Sequence, residues 1–411
     1  MESTSRSVTR VYLTLTLLNT LATSFIWGIN TLFLLNAGLS NTQAFAANAF
    51  FTAGQVIFEV PTGMIADTRG RRLSFLLGSI TLTAATLTYL IMWKISAPFW
   101  GWALTSILLG LGFTFFSGAT EAWLVDALFA TQSEDNLESV LAKGEIVIGI
   151  SMLGGSVAGG IIAQYTNLGI PYILRTVFLA IGFVAAFYLM SDIGFEPKRG
   201  KSALYEMKNI ITVSIDYGLK NPPTRWIILA EPFTSGVGIY AFYALQPYLL
   251  KLYGNPTAYS IAGLAAAIIA GAQIIGGLVV PHMRKVFKRR TSLLLTGAVV
   301  NTMLFFAIGL TSNFWLVIIL LAIWALIFAA TMPVRQTYLN GLIPSQQRAT
   351  ILSFDSMMGS SGGVVFQPAL GKVADVWSYS ASYMVCGVIN AVSWPFILLA
   401  NRKKTKSDII M

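Results

Sequence analysis

Charge is what this chain has least of. Only 11% of its 411 residues are Asp, Glu, Lys or Arg, against 55% hydrophobic, and the mean hydropathy is +0.70. So few charges cannot coat a water-soluble protein of this length, so a polytopic membrane protein is expected. Cysteine and histidine are nearly missing: Cys386 and His282 stand alone. A single cysteine excludes an internal disulfide and a cysteine-cluster metal site. With one histidine there is also no Cys/His pair and no plausible catalytic triad. Ser117-Gly118-Ala119-Thr120 reads as helix rather than as a nucleophile elbow, so neither an enzyme nor a bound cofactor or metal is expected. His282 falls in a loop among cations and receives no role, and Cys386 reads as a packed residue of the last helix.

Acidic residues are scarcer than basic ones, 17 against 27, for a formal net charge of +10. That excess would suit nucleic acid if it formed one patch, but it does not. Most of it lies at Arg6 and Arg10, at Arg69, Arg71 and Arg72, in a central segment (Lys198, Arg199, Lys201, Lys208, Lys220, Arg225), at Arg284, Lys285, Lys288, Arg289 and Arg290, and in a tail from Arg402 to Lys406. These groups sit at alternate ends of the apolar segments. One-sided basicity of this kind is the positive-inside pattern, which puts both termini in the cytoplasm and argues against a nucleic-acid partner. The first ten residues are polar and the apolar run after them is longer than a cleaved h-region, so no removable signal peptide is expected.

Apolar segments long enough to cross a hydrocarbon core of ~30 Å occur near 11–37, 42–66, 73–94, 97–127, 138–165, 168–192, 226–252, 258–281, 291–311, 314–342, 348–374 and 379–400. Lipid offers a bare backbone no hydrogen bonds, so all twelve must be helices. The long polar stretch is 193–225. In it Leu204, Met207, Ile211, Ile215 and Leu219 recur at helical spacing among Lys201, Glu206, Lys208 and Asp216, the pattern of an amphipathic helix on the inner membrane surface. It separates a bundle over 1–192 from a second over 226–411. The halves look duplicated. One offset aligns Gln55 with Gln273, Arg71-Arg72 with Arg289-Arg290 and the Leu-Ser-Phe-Leu-Leu run from Leu73 with Thr-Ser-Leu-Leu-Leu from Thr291. With a drift of a few residues Glu121 meets Arg335, Asp126 meets Asn340 and Glu145 meets Asp355. The expected fold is an all-α membrane protein, with twelve transmembrane helices in two six-helix pseudo-symmetric bundles related by an axis along the membrane normal.

The most specific stretch runs from Glu59 to Arg72 and contains Gly63, Asp67, Gly70, Arg71 and Arg72 as G-x-x-x-D-x-x-G-R-R between two apolar spans. Gly63 is expected to allow close helix approach and Gly70 to permit the reversal. This turn resembles the loop between helices 2 and 3 of the major facilitator superfamily of secondary transporters. The resemblance implies a charge relay of Asp67 and Arg71 with an acidic residue at the inner end of helix 4, here Asp126, with Asp355 near the end of helix 11. The relay would hold the halves together in one state and part in the other. In the second copy the turn has decayed to Pro281-His282-Met283-Arg284-Lys285.

Ionisable residues inside spans are expensive and mark function or ion pairing. They are Glu59, Glu121, Asp126, Glu145, Arg175, Glu231, Arg335 and Asp355, all but Arg175 in the cytoplasmic half. Glu121 and Arg335 occupy equivalent places in the two repeats, which allows a pairing across the central axis. The alternative is pairing within each half, for instance Arg335 with Glu231. A carboxyl that gains and loses an arginine partner is a natural proton carrier, which points first to Glu121, then to Glu231 beside Pro232, then to Glu59. The resemblance also implies a cavity walled by helices 1, 4, 7 and 10. On them lie Trp27 and Asn30, Phe113, Phe116 and Trp123, Tyr240, Tyr243 and Gln246, and Trp324 with Phe328, an aromatic set with a few amides that suits a hydrophobic or amphipathic small molecule.

The G-P-x-x-G-G bend of drug/proton antiporters is matched here in its glycines, Gly155, Gly159 and Gly160, but not in its proline, and Ile107 stands where they carry an arginine. The run Ser117 to Asp126 with the Glu59-Val60-Pro61-Thr62-Gly63 turn resembles a broad prokaryotic set. The expectation is a monomeric transporter in a prokaryotic plasma membrane, working by alternating access, most simply exporting its solute in exchange for protons. An importer or uniporter on the same fold, or a receptor that has lost transport, are the rival readings.

Overall fold

The computed structural model describes residues 5–131, 136–197, 203–344 and 347–410. Lys198, Arg199 and Lys201 of the central basic group lie outside them. The described residues form sixteen α-helices and no β-strand beyond an isolated bridge between Arg289 and Ile409. In order these are α1 (Ser5–Trp27), α2 (Asn30–Asn36), α3 (Asn41–Arg69), α4 (Arg71–Ile95), α5 (Phe99–Thr114), α6 (Ala119–Ala130), α7 (Leu137–Tyr165), α8 (Gly169–Leu189), α9 (Ala203–Val213), α10 (Pro222–Tyr253), α11 (Tyr259–Val286), α12 (Arg290–Leu310), α13 (Phe314–Asn340), α14 (Arg348–Val376), α15 (Tyr379–Ala391) and α16 (Ser393–Asn401).

Twelve spans become sixteen helices because three spans break and α9 is added. α1 and α2 meet at a 50° bend at Gly28-Ile29. The fourth span breaks between Thr114 and Ala119, where Gly118 takes φ +67°. The last span breaks before Ser393, since Pro395 has no N–H for the carbonyl of Ala391. Among the described residues ten spans are apolar and long enough to cross a bilayer, with α5–α6 and α15–α16 counted as one each, and eleven with the bent first pair. The 29-residue α14 is long enough too, but its polar content lowers its mean hydropathy. α9 runs on into one π-helical turn, Ser214–Leu219, whose Gly218 sits against Ile228 and Ile351 while Ile211 and Ile215 stay exposed.

Two compact units divide the chain, and each has its own core. In the first, Tyr12, Leu15, Phe75, Trp123 and Val140 pack together. In the second, Ile228, Leu293, Tyr338 and Ile351 do so. Close backbone approach within the units depends on glycine. A Cβ at Gly159 would overlap Phe25 O, and one at Gly362 would overlap Pro232 O, so α7 meets α1 and α14 meets α10 nearly backbone to backbone. Gly63, expected to serve the same purpose, faces open space. On α3 that part falls to Gly54, against Ile107 and Gly110.

The second unit includes residues 39–49. There Asp375, at the end of α14, accepts from the Asn41 and Thr42 backbone N–H groups at 2.9 and 2.8 Å and from the Thr42 hydroxyl at 2.6 Å. The exposed amides at the start of α3 are thereby capped by a carboxylate from far along the chain.

The tail after α16 folds back as a cap. Asp408, 1% exposed, accepts from the Thr291 N–H and hydroxyl, both at 2.7 Å, and from Arg289 at 2.6 Å. Arg290 donates to the carbonyls of Ser407 and Ile409. Asp408→Ala should strand Arg289 and uncap α12, costing about 3 kcal/mol. A lowered thermal midpoint of the purified protein checks this, and Asp408→Asn, which keeps the acceptor for Thr291, should lose less.

Candidate functional site

Two groups of charged residues were expected to carry the chemistry, and each is built inside one unit. The first lies at the turn between α3 and α4. Gly70 takes φ +111°, a conformation open to glycine and strained for other residues, and it reverses the chain so that Asp67 and Arg71 face each other at 2.5 Å. Arg71 also lies 3.8 Å from Asp126 on α6. Arg72 turns the other way. Its side chain donates to Phe187 O at 2.5 Å and stacks on the Phe187 ring, while its backbone N–H donates to Asp192 at 2.9 Å. Asp192 escaped the sequence reading because it follows the sixth span in an otherwise plain Ser-Asp-Ile-Gly turn. Its residue type at the end of a span was the only signal of a cap. Asp67 and Asp126 are 39% and 33% exposed, so each contact at this turn is individually weak.

Asp355 is not part of that turn. It lies on α14 against Arg335 of α13, which it meets with both oxygens, Oδ1 to Nη2 at 2.5 Å and Oδ2 to Nη1. The remaining guanidinium nitrogen, Nε, lies 2.8 Å from Glu231 of α10. Arg335 therefore pairs within its own half, and with two carboxylates rather than one. The three side chains are 8–12% exposed. Bidentate geometry is what makes burial of such ions tolerable, since each would otherwise lose its hydration uncompensated. Hydroxyls complete the shell of Glu231. Ser235 donates to Oε1 and Thr234 to Oε2 at 3.2 Å. Both stand three or four residues after Glu231, one helical turn, which was the available signal for them. α10 runs without a break through Pro232, so no opened turn is found there. A Cβ at Gly359 would press on Glu231 Cγ, which shows how closely α14 lies over this carboxylate.

The other expected carboxylates are placed differently. Glu59 accepts from Ser117 at 2.7 Å and so ties α3 to the break in the fourth span. Glu121 lies in the first turn of α6, exposed, at the edge of a cavity of about 150 Å³ that is also lined by Tyr12, Thr16 and Asn19. Glu145 is exposed on α7. Arg175 is 5% exposed and donates to Thr86 and to Ala22 O.

Several aromatics expected on a cavity wall are core instead. Trp123 is 1% exposed and donates to Ser191 O, because a buried indole N–H needs an acceptor. Phe116 packs edge-on against Phe75 and, as expected of it, lines a cavity, the one bordered by Glu121. Tyr240 and Gln246 are fully buried, with the Tyr240 hydroxyl bonded to Ser382 at 2.7 Å. Asn30 accepts from Tyr172 at 2.8 Å. Phe113 packs on Phe51, and Trp27 and Tyr243 are partly exposed. Trp324 and Phe328 do line a cavity, together with Glu231 and Arg335 of the triad.

This fold of membrane-length helices, with a charged reversal after the second, defines a multi-pass transporter, and sequence comparison agrees. The family profile of the Major Facilitator Superfamily matches residues 12–300 and 232–409, and the chain belongs to that family. It is 23% identical over 394 residues to the uncharacterized MFS-type transporter YxaM of Bacillus subtilis, covering 92% of this chain and 91% of that one. It is 24% identical over 347 residues to the multidrug resistance protein MdtG of Salmonella arizonae, covering 81% and 80%. Among solved structures the nucleoside transporter NupG superposes with a TM-score of 0.77 at 11% identity over 97% of this chain and all of that one. The POT family transporter PepTSo gives 0.73 at 12% identity over 97% and 98%. At such identities the structural likeness concerns the fold.

Removing Arg335 alone leaves two buried carboxylates facing each other. Arg335→Leu should cost roughly 3–5 kcal/mol. Adding Glu231→Gln and Asp355→Asn to it should recover most of that loss, and thermal unfolding of the wild type, the single and the triple variant checks the order. Equal stability of the single and triple variants would show that the three groups do not act as one unit.

Proposed function

We propose that this transporter works by alternating access and exports a small hydrophobic or amphipathic solute in exchange for protons, with the Glu231–Arg335–Asp355 triad as the coupling site. The observation that carries the reading is the triad itself. Two carboxylates share one guanidinium in a buried setting, an arrangement with one negative charge in excess and room for one proton. Retaining three ionised groups inside a membrane helix bundle is expensive, and such residues mark ion or proton pathways in membrane proteins. Glu231 is the better carrier than Glu121, because Glu121 is exposed and a carboxyl already in water gains little from a change in access.

The turn at Asp67, Gly70 and Arg71 belongs to the conformational side of the cycle. Its acids are a third or more exposed and the Arg71–Asp126 contact is long at 3.8 Å, so these pairs can exchange partners at low cost. The multidrug function named for MdtG favours export over uptake. We place the protein in the plasma membrane, with the basic turns and both termini in the cytoplasm, acting as a monomer.

The test is transport by purified protein in liposomes with an imposed pH gradient, screened against a mixed panel of solutes. Gradient-driven flux is expected in the wild type, and Glu231→Gln should lose most of it. Flux indifferent to the gradient would favour the importer or uniporter reading, and absence of flux for every solute would favour a receptor.

A further inference from the structure

Beside the triad, inside the second unit, α10, α12, α13, α15 and α16 line a cavity of about 60 Å³. A water-sized group needs roughly 10–15 Å³ by this measure. The space therefore admits a compact head group with a water or two, and excludes a whole amphipathic molecule. Glu231, Thr234 and Ser235 form one wall and Asn301 and Thr331 another. The rings of Trp324 and Phe328, 6.1 Å apart, complete the lining.

The hydroxyl and guanidinium hydrogens of these walls are already committed. Ser235 and Thr234 donate to Glu231, and Thr331 donates to the carbonyls of Ile327 and Phe328. The amide nitrogen of Asn390 donates to Ala298 O at 2.9 Å and to Thr302 at 2.8 Å. All three nitrogens of Arg335 face the two carboxylates and Ile227 O. The oxygens of the three hydroxyls and of Glu231 remain as acceptors on these walls, and Asn301 lines the same space with its Oδ1 buried and without a hydrogen-bond partner. One guanidinium against two carboxylates also leaves one formal negative charge. Oxygen acceptors, excess negative charge and two aromatic rings together favour a small cation that carries N–H donors and an apolar stem, with the ring faces adding cation–π attraction.

We infer that this cavity is a head-group subsite for a primary ammonium, so that the solute carried is an amphipathic amine. The inference rests on the transporter reading above and adds the substrate class. An inorganic monovalent cation shares the charge but lacks both the directed N–H groups and the stem, so the two are separable.

The experiment is calorimetric titration of the full-length protein in detergent, at constant ionic strength, with n-butylammonium, tetramethylammonium, n-butanol and sodium ions. Saturable binding of n-butylammonium is expected, with at least about tenfold weaker binding of tetramethylammonium and n-butanol, since charge-assisted hydrogen bonds are lost. Ser235→Ala should weaken n-butylammonium about tenfold or more by the same reasoning. Asn301→Asp, which preserves volume and adds charge, should tighten it and guards against a loss that merely reflects misfolding. Equal binding of n-butylammonium and tetramethylammonium, displacement of n-butylammonium by sodium at equal concentration, or no binding of n-butylammonium would each overturn the amine subsite. Binding is read without transport. Gradient-driven flux with no amine binding would sink this inference and spare the transporter reading, while amine binding with no flux of any solute would keep the ammonium subsite but sink the transporter reading and the carried amine with it.

Discussion

The second half of the molecule is organised by the cost of burying a guanidinium. Arg335 is 12% exposed in its side chain, and no charge survives at that depth without partners on every edge. The partners come from two other helices, Glu231 from α10 and Asp355 from α14, so the ion network fixes the approach of three helices at one level. That approach is closer than ordinary side chains permit. Gly359 and Gly362 on α14 meet Glu231 and the Pro232 carbonyl, and larger residues there would push Asp355 away from the guanidinium. Small residues and charges are thus one design, since the glycines bring the carboxylate within reach and the salt bridge holds the helices at glycine distance.

The same chemistry recurs in milder form at the charged turns. In the first unit the amide of Arg72, at the start of α4, is capped by Asp192, which follows the sixth span. In the second, the amide of Thr291, at the start of α12, is capped by Asp408, which follows the twelfth. The first turn keeps its own acid, Asp67, beside Arg71. The second has lost the equivalent, and its aligned arginine, Arg289, takes Asp408 and Asn401 in place of it. The degenerate copy of the turn has kept its arginines because the tail supplies the acid that the turn no longer carries.

How much of this could be read beforehand depends on whether the signal was local. Spans, the Gly70 reversal and the pairing of Asp67 with Arg71 follow from hydropathy and from residues a few positions apart. The triad was half legible: Glu231 and Arg335 were named as one alternative, but Asp355 was assigned to the turn, because the resemblance placed the end of helix 11 there and no spacing ties residue 335 to residue 355. Trp123 and Tyr240 were misplaced for a related reason. An aromatic on an apolar helix looks the same whether it faces a cavity or the bundle core. The choice is made by an acceptor elsewhere in the chain, Ser191 O for the indole and Ser382 for the phenol. Asn301 and Asp408 carried no pattern at all, since a lone amide in a span and a lone acid in a basic tail acquire meaning only from what folds against them.

Charge is distributed differently in the two units, and the proposed transport cycle draws on that difference. At the first turn, Asp67 and Asp126 are more than a third and about a third exposed, so water competes for every contact and the free energy of any one pair is small. Contacts of that kind suit a hinge that must open and close many times. In the triad the side chains are only 8–12% exposed, the ion pairs are stronger, and adding one proton changes the electrostatic balance of three helices together. A group able to convert protonation into helix movement has to sit where screening is weak, which is the environment of Glu231 and not that of Glu121 or Glu145.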